Sequence, residues 1–115
     1  MPKKTPLQEV CPLDTAVQAL GGKWKPLIVY QLRRGTKRFS ELQRAIPEAT
    51  RQMLTQQLPQ LEADGIVRRT VHPVVPPRVD YALTEMGREL DPVLSALAKW
   101  GGRVLAYRSR APKGV

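Results

Sequence analysis

The sequence predicts a mainly α-helical protein with one small β-hairpin. Apolar residues recur at helical spacing, between capping signals, from residue 11 to residue 65 and again after residue 84. Between these stretches the spacing changes to the alternation that is typical of strands. At 115 residues the chain has the length of one domain. We therefore expect a domain over residues 11–107, with a flexible arm at 1–10 and a basic tail at 108–115.

The first two helices are delimited by proline and glycine. The first is predicted to begin at Cys11-Pro12, since proline is tolerated at a helix start, and to end at the glycine pair 21–22. The second covers residues 25–32 and ends at Gly35. Its apolar face is expected to bury Trp24, Leu27, Ile28 and Leu32.

Two further helices follow, each with a capping signal. Ser40 and Gln43 have the form of a capping box, so the third helix is predicted to open at Ser40 and to close at Pro47. Thr50 is expected to cap the fourth helix, which ends at residues 64–65. The buried face of this fourth helix is predicted to be Leu54, Leu58 and Leu61.

An antiparallel hairpin is predicted next. Residues 66–72 and 78–84 alternate and carry β-branched or aromatic side chains. The five residues 73–77 that join them are too rich in proline for a tight two-residue turn. The single histidine, His72, is expected to be solvated or to contact the backbone there.

A long C-terminal helix, capped by Thr84, is predicted to form a dimer. Its apolar residues are spaced by 4, 3, 4, 3 and 4 positions, at Met86, Leu90, Val93, Leu97, Trp100 and Val104. From Glu85 to Tyr107 it would be about 34 Å long, which is more than so small a domain covers. The uncovered seam therefore predicts a homodimer. Alternatively, Gly101-Gly102 breaks the helix and the far end folds back.

The charge balance favours a polyanionic partner. Nineteen Lys and Arg against ten Asp and Glu give a net charge of +9. Neutralising the phosphates of a nucleic acid releases condensed counterions, which drives the binding of such a chain. An anionic membrane surface would fit the charge alone equally well.

Several classes of function are excluded or disfavoured by composition. One cysteine and one histidine allow neither a disulfide framework nor a closed zinc site. No catalytic triad, carboxylate pair or phosphate loop is present, so we expect no enzyme and no cofactor. No apolar run approaches a membrane span, and the N-terminus does not have the form of a secretory signal, so a cytoplasmic protein is expected.

Helices followed by a hairpin are the element order of a winged helix-turn-helix, in which the helix before the hairpin enters the major groove of DNA. With its leucines inward, the fourth helix directs Arg51, Gln52, Thr55 and Gln56 outward. Arg can read guanine, Gln adenine and Thr the thymine methyl. A merely solvated face is the alternative, but an ordinary exposed face mixes charges and residues 50–61 contain no carboxylate.

Basic residues elsewhere are expected to contact phosphates. Residues 15–40 contain no acidic side chain, and Ser40 lies at a predicted helix N-terminus, where backbone amides bind anions. Arg68, Arg69 and Arg78 supply charge to the hairpin. The full set of predicted DNA contacts is Lys23, Lys25, Lys37, Arg38, Ser40, Thr50, Arg51, Gln52, Thr55, Gln56, Arg68 and Arg78.

A series of short motifs resembles the HxlR-type regulators, a bacterial family related in shape to the MarR-type proteins. The motifs occur in the family's order over residues 11–101: Cys11-Pro12, Gly21-Gly22-Lys23-Trp24, Arg38-Phe39-Ser40-Glu41-Leu42, Leu54-Thr55-Gln56-Gln57-Leu58, Leu61-Glu62-Ala63-Asp64-Gly65, Val75-Pro76-Pro77-Arg78-Val79-Asp80-Tyr81 and Leu83-Thr84-Glu85-Met86-Gly87. The resemblance implies a winged-helix homodimer on a partly palindromic operator. Its N- and C-terminal helices would meet the partner through Leu13, Val17, Leu90, Val93, Leu97, Trp100 and Val104.

One residue departs from the family pattern. Pro59 stands in the fourth helix, where the family generally has a polar helix former. A proline removes the hydrogen bond to the carbonyl of Thr55 and costs roughly 3 kcal/mol in a regular helix interior. We therefore expect a kink downstream of the reading residues.

Cys11 is a candidate redox sensor, because a helix N-terminus lowers the pKa of a thiol and some HxlR-type proteins sense oxidants or electrophiles through a cysteine near this position. The alternative is a half-buried packing residue. Without a second cysteine, a disulfide would join two subunits or a small thiol.

Two other functions stay open: a non-specific architectural nucleic-acid-binding protein, and a protein-interaction module built on the winged-helix surface. For a regulator, the expected partners are double-stranded operator DNA, a second copy of the chain and a small-molecule effector in the partly apolar dimer crevice.

Overall fold

The computed structural model describes residues 10–110. These residues form six helices and three strands in one chain order: α1 Pro12–Ala19, α2 Trp24–Leu32, β1 Lys37–Arg38, α3 Phe39–Ala45, α4 Arg51–Ala63, β2 Val67–His72, β3 Arg78–Leu83, α5 Glu85–Arg88 and α6 Leu90–Arg110. The predicted fold class, mainly α with a small hairpin and a long C-terminal helix, is confirmed. Residues 1–9 of the predicted arm and 111–115 of the predicted tail lie outside the described residues.

The start of α3 differs from its prediction. The helix begins at Phe39, so Ser40 lies within the first turn and does not cap it. The backbone amide of Arg38 donates a hydrogen bond to Oε1 of Glu41 at 2.7 Å. The predicted box of Ser40 and Gln43 is therefore wrong, because β1 leads directly into the helix and shifts its start toward the N-terminus.

Helix α4 has the predicted cap, end and buried face. The amide of Met53 donates to Oγ1 of Thr50 at 3.1 Å, which satisfies one free amide of the first turn. The left-handed backbone of Gly65, with φ of 74°, follows the end of the helix. The helix continues through Pro59 to Ala63. The predicted apolar face is buried at Leu54, Leu58 and Leu61.

The three strands form one antiparallel sheet with β3 in the centre. Strands β2 and β3 pair from Val67 opposite Leu83 to His72 opposite Arg78, as the alternation predicts. We refer to this hairpin and its loop 73–77 as the wing. On its other edge, β3 pairs with β1, Lys37 opposite Tyr81 and Arg38 opposite Asp80. Strand β1 is not predictable from the sequence, because two basic residues show no alternation.

The predicted long helix is divided in two. Thr84 caps the short helix α5, with its Oγ1 accepting from the amide of Gly87 at 3.0 Å. The chain then turns at Glu89 before α6 begins. Pro92 explains this break, since it has no amide for the carbonyl of Arg88 and its ring crowds that carbonyl. Helix α6 continues unbroken through Gly101-Gly102, so the alternative in which its far end folds back is wrong.

The core lies between α2, α3, α4 and one face of the sheet. From α6 only Leu94 is buried in it, and α1 has no buried residue. The predicted core position Leu27 is 38% exposed, because Val29 takes the inward place beside Ile28. The buried apolar residues are Ile28, Val29, Leu32, Leu42, Ile46, Ala49, Leu54, Leu58, Leu61, Ile66, Val67, Tyr81, Leu83 and Leu94.

Candidate nucleic-acid interface

The exposed face of α4 lies opposite its buried leucines. Helical spacing predicts four polar side chains here, and all four are exposed: Arg51, Gln52, Thr55 and Gln56. The guanidinium of Arg51 lies 5.2 Å from the centre of the Phe39 ring, a cation–π contact that links α4 to α3. The hydroxyl of Thr55 donates to the carbonyl of Arg51 at 2.8 Å. Thr55 therefore offers its methyl group and oxygen lone pairs, but not its proton, to a partner.

A groove separates the first turns of α3 and α4 from the tip of the wing. We call it the basic groove; its lining residues are Arg38, Phe39, Ser40, Arg51, Val74, Val75, Pro76, Pro77, Arg78 and Val79. Three of these side chains are guanidinium groups and none is a carboxylate. The fold thus brings together predicted contact residues from three separate stretches of the sequence: Arg38 with Ser40, Arg51, and Arg78.

Next to the tip of the wing, two side chains contact the carboxylate of Asp80. Nε of Arg78 donates to Oδ1 of Asp80 at 3.2 Å, and Nη2 donates to Oδ2 at 3.1 Å. Nε2 of His72 lies 2.9 Å from the same Oδ2. The expectation of a solvated or backbone-contacting His72 is therefore wrong, because the register places it opposite Arg78 and diagonal to Asp80.

The pKa values of this cluster reflect the same contacts. The hydrogen bonds from Arg78 hold the pKa of Asp80 below its ordinary value of 3.8, although partial burial acts in the opposite direction. In return, the hydrogen bonds to Asp80 raise the pKa of Arg78. Asp80 is thus ionised near neutral pH and paired with a permanent cation.

Other predicted contact residues lie outside the basic groove. Lys23 is exposed beside the ring of Trp24, with Nζ 4.7 Å from the ring centre. Lys25 and Lys37 are half-buried, whereas Thr50 and Arg68 are exposed.

Two arginines that are not among the predicted DNA contacts lie close to those contacts. Arg44 lines a polar hollow together with Arg38, Ser40 and Arg78. Arg69 lines another hollow together with Arg51 and Thr55. The only sequence signal for them was their charge, because their proximity depends on how the wing packs against α3 and α4.

The sequence matches a known family over most of the chain. A model of the HxlR-like helix-turn-helix family matches residues 19–109. The chain belongs to this family. The resemblance of the motifs is thereby confirmed, and HxlR-like membership identifies the chain as a DNA-binding transcriptional regulator of the helix-turn-helix type.

Relatives within the HxlR-like family agree in sequence and in structure. The helix-turn-helix-type transcriptional regulator YdeP of Bacillus subtilis is 45% identical over 105 residues, which cover 91% of this chain and 80% of that protein. The redox regulator HypR in its reduced form is 42% identical with a TM-score of 0.82, covering 88% of this chain and all of that one. The diamide-treated YodB of B. subtilis is 38% identical with a TM-score of 0.70, covering 83% of this chain and 95% of that one.

Within residues 10–110, no helix is long and apolar enough to cross a membrane.

Proposed function

We propose that the protein is a sequence-specific transcriptional regulator, not an enzyme, that binds a partly palindromic operator as a homodimer in the cytoplasm. The observation that carries this proposal is the basic groove, where three arginines and no carboxylate line the space between α4 and the wing. A groove of this charge and position suits a DNA backbone that passes between a helix in the major groove and a wing.

Each part of the interface has a proposed role. Arg51, Gln52 and Gln56 read base edges in the major groove, and the methyl group of Thr55 contacts a thymine. The phosphate contacts are Lys23, Lys25, Lys37, Arg38, Ser40 and Thr50, with Arg68 and Arg78 on the wing. The exposure of the α4 side chains supports the first role, and the lining of the basic groove supports Arg38, Ser40 and Arg78 in the second.

Fluorescence anisotropy with labelled duplexes tests this function. One duplex comes from upstream of the gene, the other is its scrambled version, and both are titrated over a salt series. A preference of roughly a thousandfold with a steep salt dependence is expected. Equal binding to both duplexes, and to duplexes selected from random DNA, would favour the architectural alternative. No binding at low salt would favour the protein-interaction module.

Two matched variants separate base reading from phosphate binding. Arg51→Ala should lose roughly 1–3 kcal/mol on the operator and much less on scrambled DNA. Arg38→Ala removes the same charge and should weaken both complexes alike, lowering the salt slope by about 1. Equal losses of Arg51→Ala on the two duplexes would contradict its role as a base reader.

The homodimer is supported by apolar side chains that the chain itself leaves uncovered. On α1, Leu13 is 72% and Val17 59% exposed. On α6, the exposed members of the seam are Val93, Leu97 and Trp100, and we include the partly covered Leu90 and Val104. Apolar surface of this extent usually marks an interface. An apolar hollow between Ala19 of α1 and Leu90 of α6 is the proposed place for a small-molecule effector.

Cys11 is proposed as the residue that makes the regulator responsive to oxidants. The exposure of Cys11 at the N-terminus of α1 in the single chain supports this role, since its thiol is accessible to an oxidant. It is also the only cysteine in the sequence. Two structural neighbours, HypR and YodB, support the proposal: HypR is a redox regulator with an oxidised form, and YodB has a diamide-treated form. The product is an intersubunit disulfide, or a mixed disulfide with a small thiol.

Diamide treatment tests this proposal. Two Cys11 thiols would lose two electrons and two protons to diamide, which is reduced to the hydrazine, and one S–S bond would form. Non-reducing electrophoresis should show a covalent dimer, and operator affinity should change until a reductant is added. Cys11→Ser is the control and should show neither change. An oxidised wild type with unaltered affinity would contradict the sensing role.

A further inference from the structure

Arg78 stands where the wing borders the basic groove, and its side chain is 47% exposed. A guanidinium has five N–H donors in a rigid plane. Two of them donate to the carboxylate of Asp80, one from Nε and one from Nη2. Among residues 10–110, no other acceptor for Arg78 is present within hydrogen-bonding distance. The other three N–H donors of the guanidinium therefore face outward, away from the edge that donates to Asp80.

Asp80 is held in turn by its position in the sheet. It lies on the central strand, opposite Arg38 of β1 and Thr70 of β2. Its side chain is only 12% exposed, and His72 occupies the oxygen that Arg78 also uses. The carboxylate therefore has little freedom, and it transfers this restriction to the guanidinium.

We propose that Asp80 is a positioning residue for DNA binding: it fixes the guanidinium of Arg78 so that the outward N–H donors are already aligned for a DNA phosphate. This inference rests on the proposed function and adds to it a residue that does not itself touch DNA. A long side chain that is already ordered loses less conformational entropy when it binds. The aligned donors therefore raise affinity more than an unrestrained arginine would.

Positioning by Asp80 and simple electrostatics predict opposite changes in DNA affinity when Asp80 is removed. Asp80 is a negative group close to a polyanion, so simple electrostatics predicts that its removal strengthens DNA binding. Positioning predicts that its removal weakens binding, provided that Arg78 is present. The two explanations thus differ in direction and not only in size.

Asp80→Asn is the variant that tests this prediction, because it removes the charge with almost no change of shape. Operator affinity is measured by anisotropy on a duplex selected from random DNA by the wild type. Asp80→Asn should bind roughly two- to tenfold more weakly. Asp64→Asn makes the same change of charge at an exposed position after α4. It should bind as tightly as the wild type or more tightly.

A double-mutant cycle separates positioning from a general effect on the fold. On an Arg78→Ala background, Asp80→Asn should cause no further loss. Arg78→Lys keeps the positive charge but cannot form the planar two-point contact. It should weaken binding about as much as Asp80→Asn does. This variant tests the same point if Asp80→Asn proves unstable on thermal unfolding.

Each outcome decides one question. Undiminished binding by a folded Asp80→Asn variant, or an equal loss with and without Arg78, would overturn the positioning role alone. Failure of the wild type to select or bind any duplex would overturn the proposed function, and this inference with it.

Discussion

Helices α4 and α6 are both amphipathic, but the apolar face of α4 is buried within the chain and most of that of α6 is exposed. On α4, the three inward leucines are at most 1% exposed. On α6, Leu94 is 5% exposed, whereas Leu97 is 52% and Trp100 63% exposed. The apolar face of α4 therefore stabilises the fold of one chain, and that of α6 is available to stabilise an assembly. Helical spacing reveals an apolar face, but it does not tell whether the same chain covers it.

The same substitution in the two helices should show the largest difference. Leu58→Ala leaves a cavity at a position that is 1% exposed, so it should lower the free energy of unfolding by about 2–5 kcal/mol. Leu97→Ala removes the same atoms from an exposed site and should cost less than about 1 kcal/mol at protein concentrations where the chain is monomeric. Urea denaturation at low and high protein concentration measures both. Equal losses at low concentration would show that α6 is covered within the chain.

A charge on the exposed face of α6 should break the assembly without unfolding the chain. Trp100→Glu should raise the dissociation constant of the dimer roughly 30-fold or more, because buried aromatic residues dominate interfaces. Sedimentation velocity over a concentration series measures the change. Ser95→Glu adds the same charge on the opposite side of the helix and should leave the dimer intact. Identical sedimentation of the two variants would argue against this face as the interface.

The smallest effect is expected from the polar contact within the wing. Because the folded pKa of Asp80 lies below its ordinary value of 3.8, its ionised form stabilises the fold above that value. This stability is lost as the pH falls through the lower folded pKa. The difference in unfolding free energy between the wild type and Asp80→Asn should therefore be constant near pH 5 and narrow below about pH 4. A difference that does not change down to about pH 2 would contradict the contribution of the charge.

The sequence was sufficient where local signals determine the structure. The position of α4, its cap at Thr50 and its exposed face follow from helical spacing and side-chain chemistry. The wing follows from alternation and a proline-rich connection. These elements carry the predicted base-reading residues of α4, and they contribute Arg51 and Arg78 to the basic groove.

Features that depend on distant pairing were not predictable in this way. Strand β1 is too short to show a pattern, and it exists because β3 offers a free edge. The contact of His72 with Asp80 depends on the register of the hairpin. The break before α6 has a local cause in Pro92. The regular apolar spacing from Met86 to Val104 nevertheless predicted one continuous helix.

Strand β1 also has a consequence for regulation. It joins the central strand of the wing and continues without a loop into α3, so α3 and the wing are linked, and α4 packs against β2 of the same wing; we call these elements the DNA-reading unit. The proposed oxidation of Cys11 would act outside that unit, because Cys11 caps α1 and α1 contributes no buried residue to the core. In the proposed dimer, such a signal would change the distance and the relative rotation of the two DNA-reading units without changing the structure of either unit. Operators that differ only in the number of base pairs between their half-sites should then differ in how strongly an oxidant releases them.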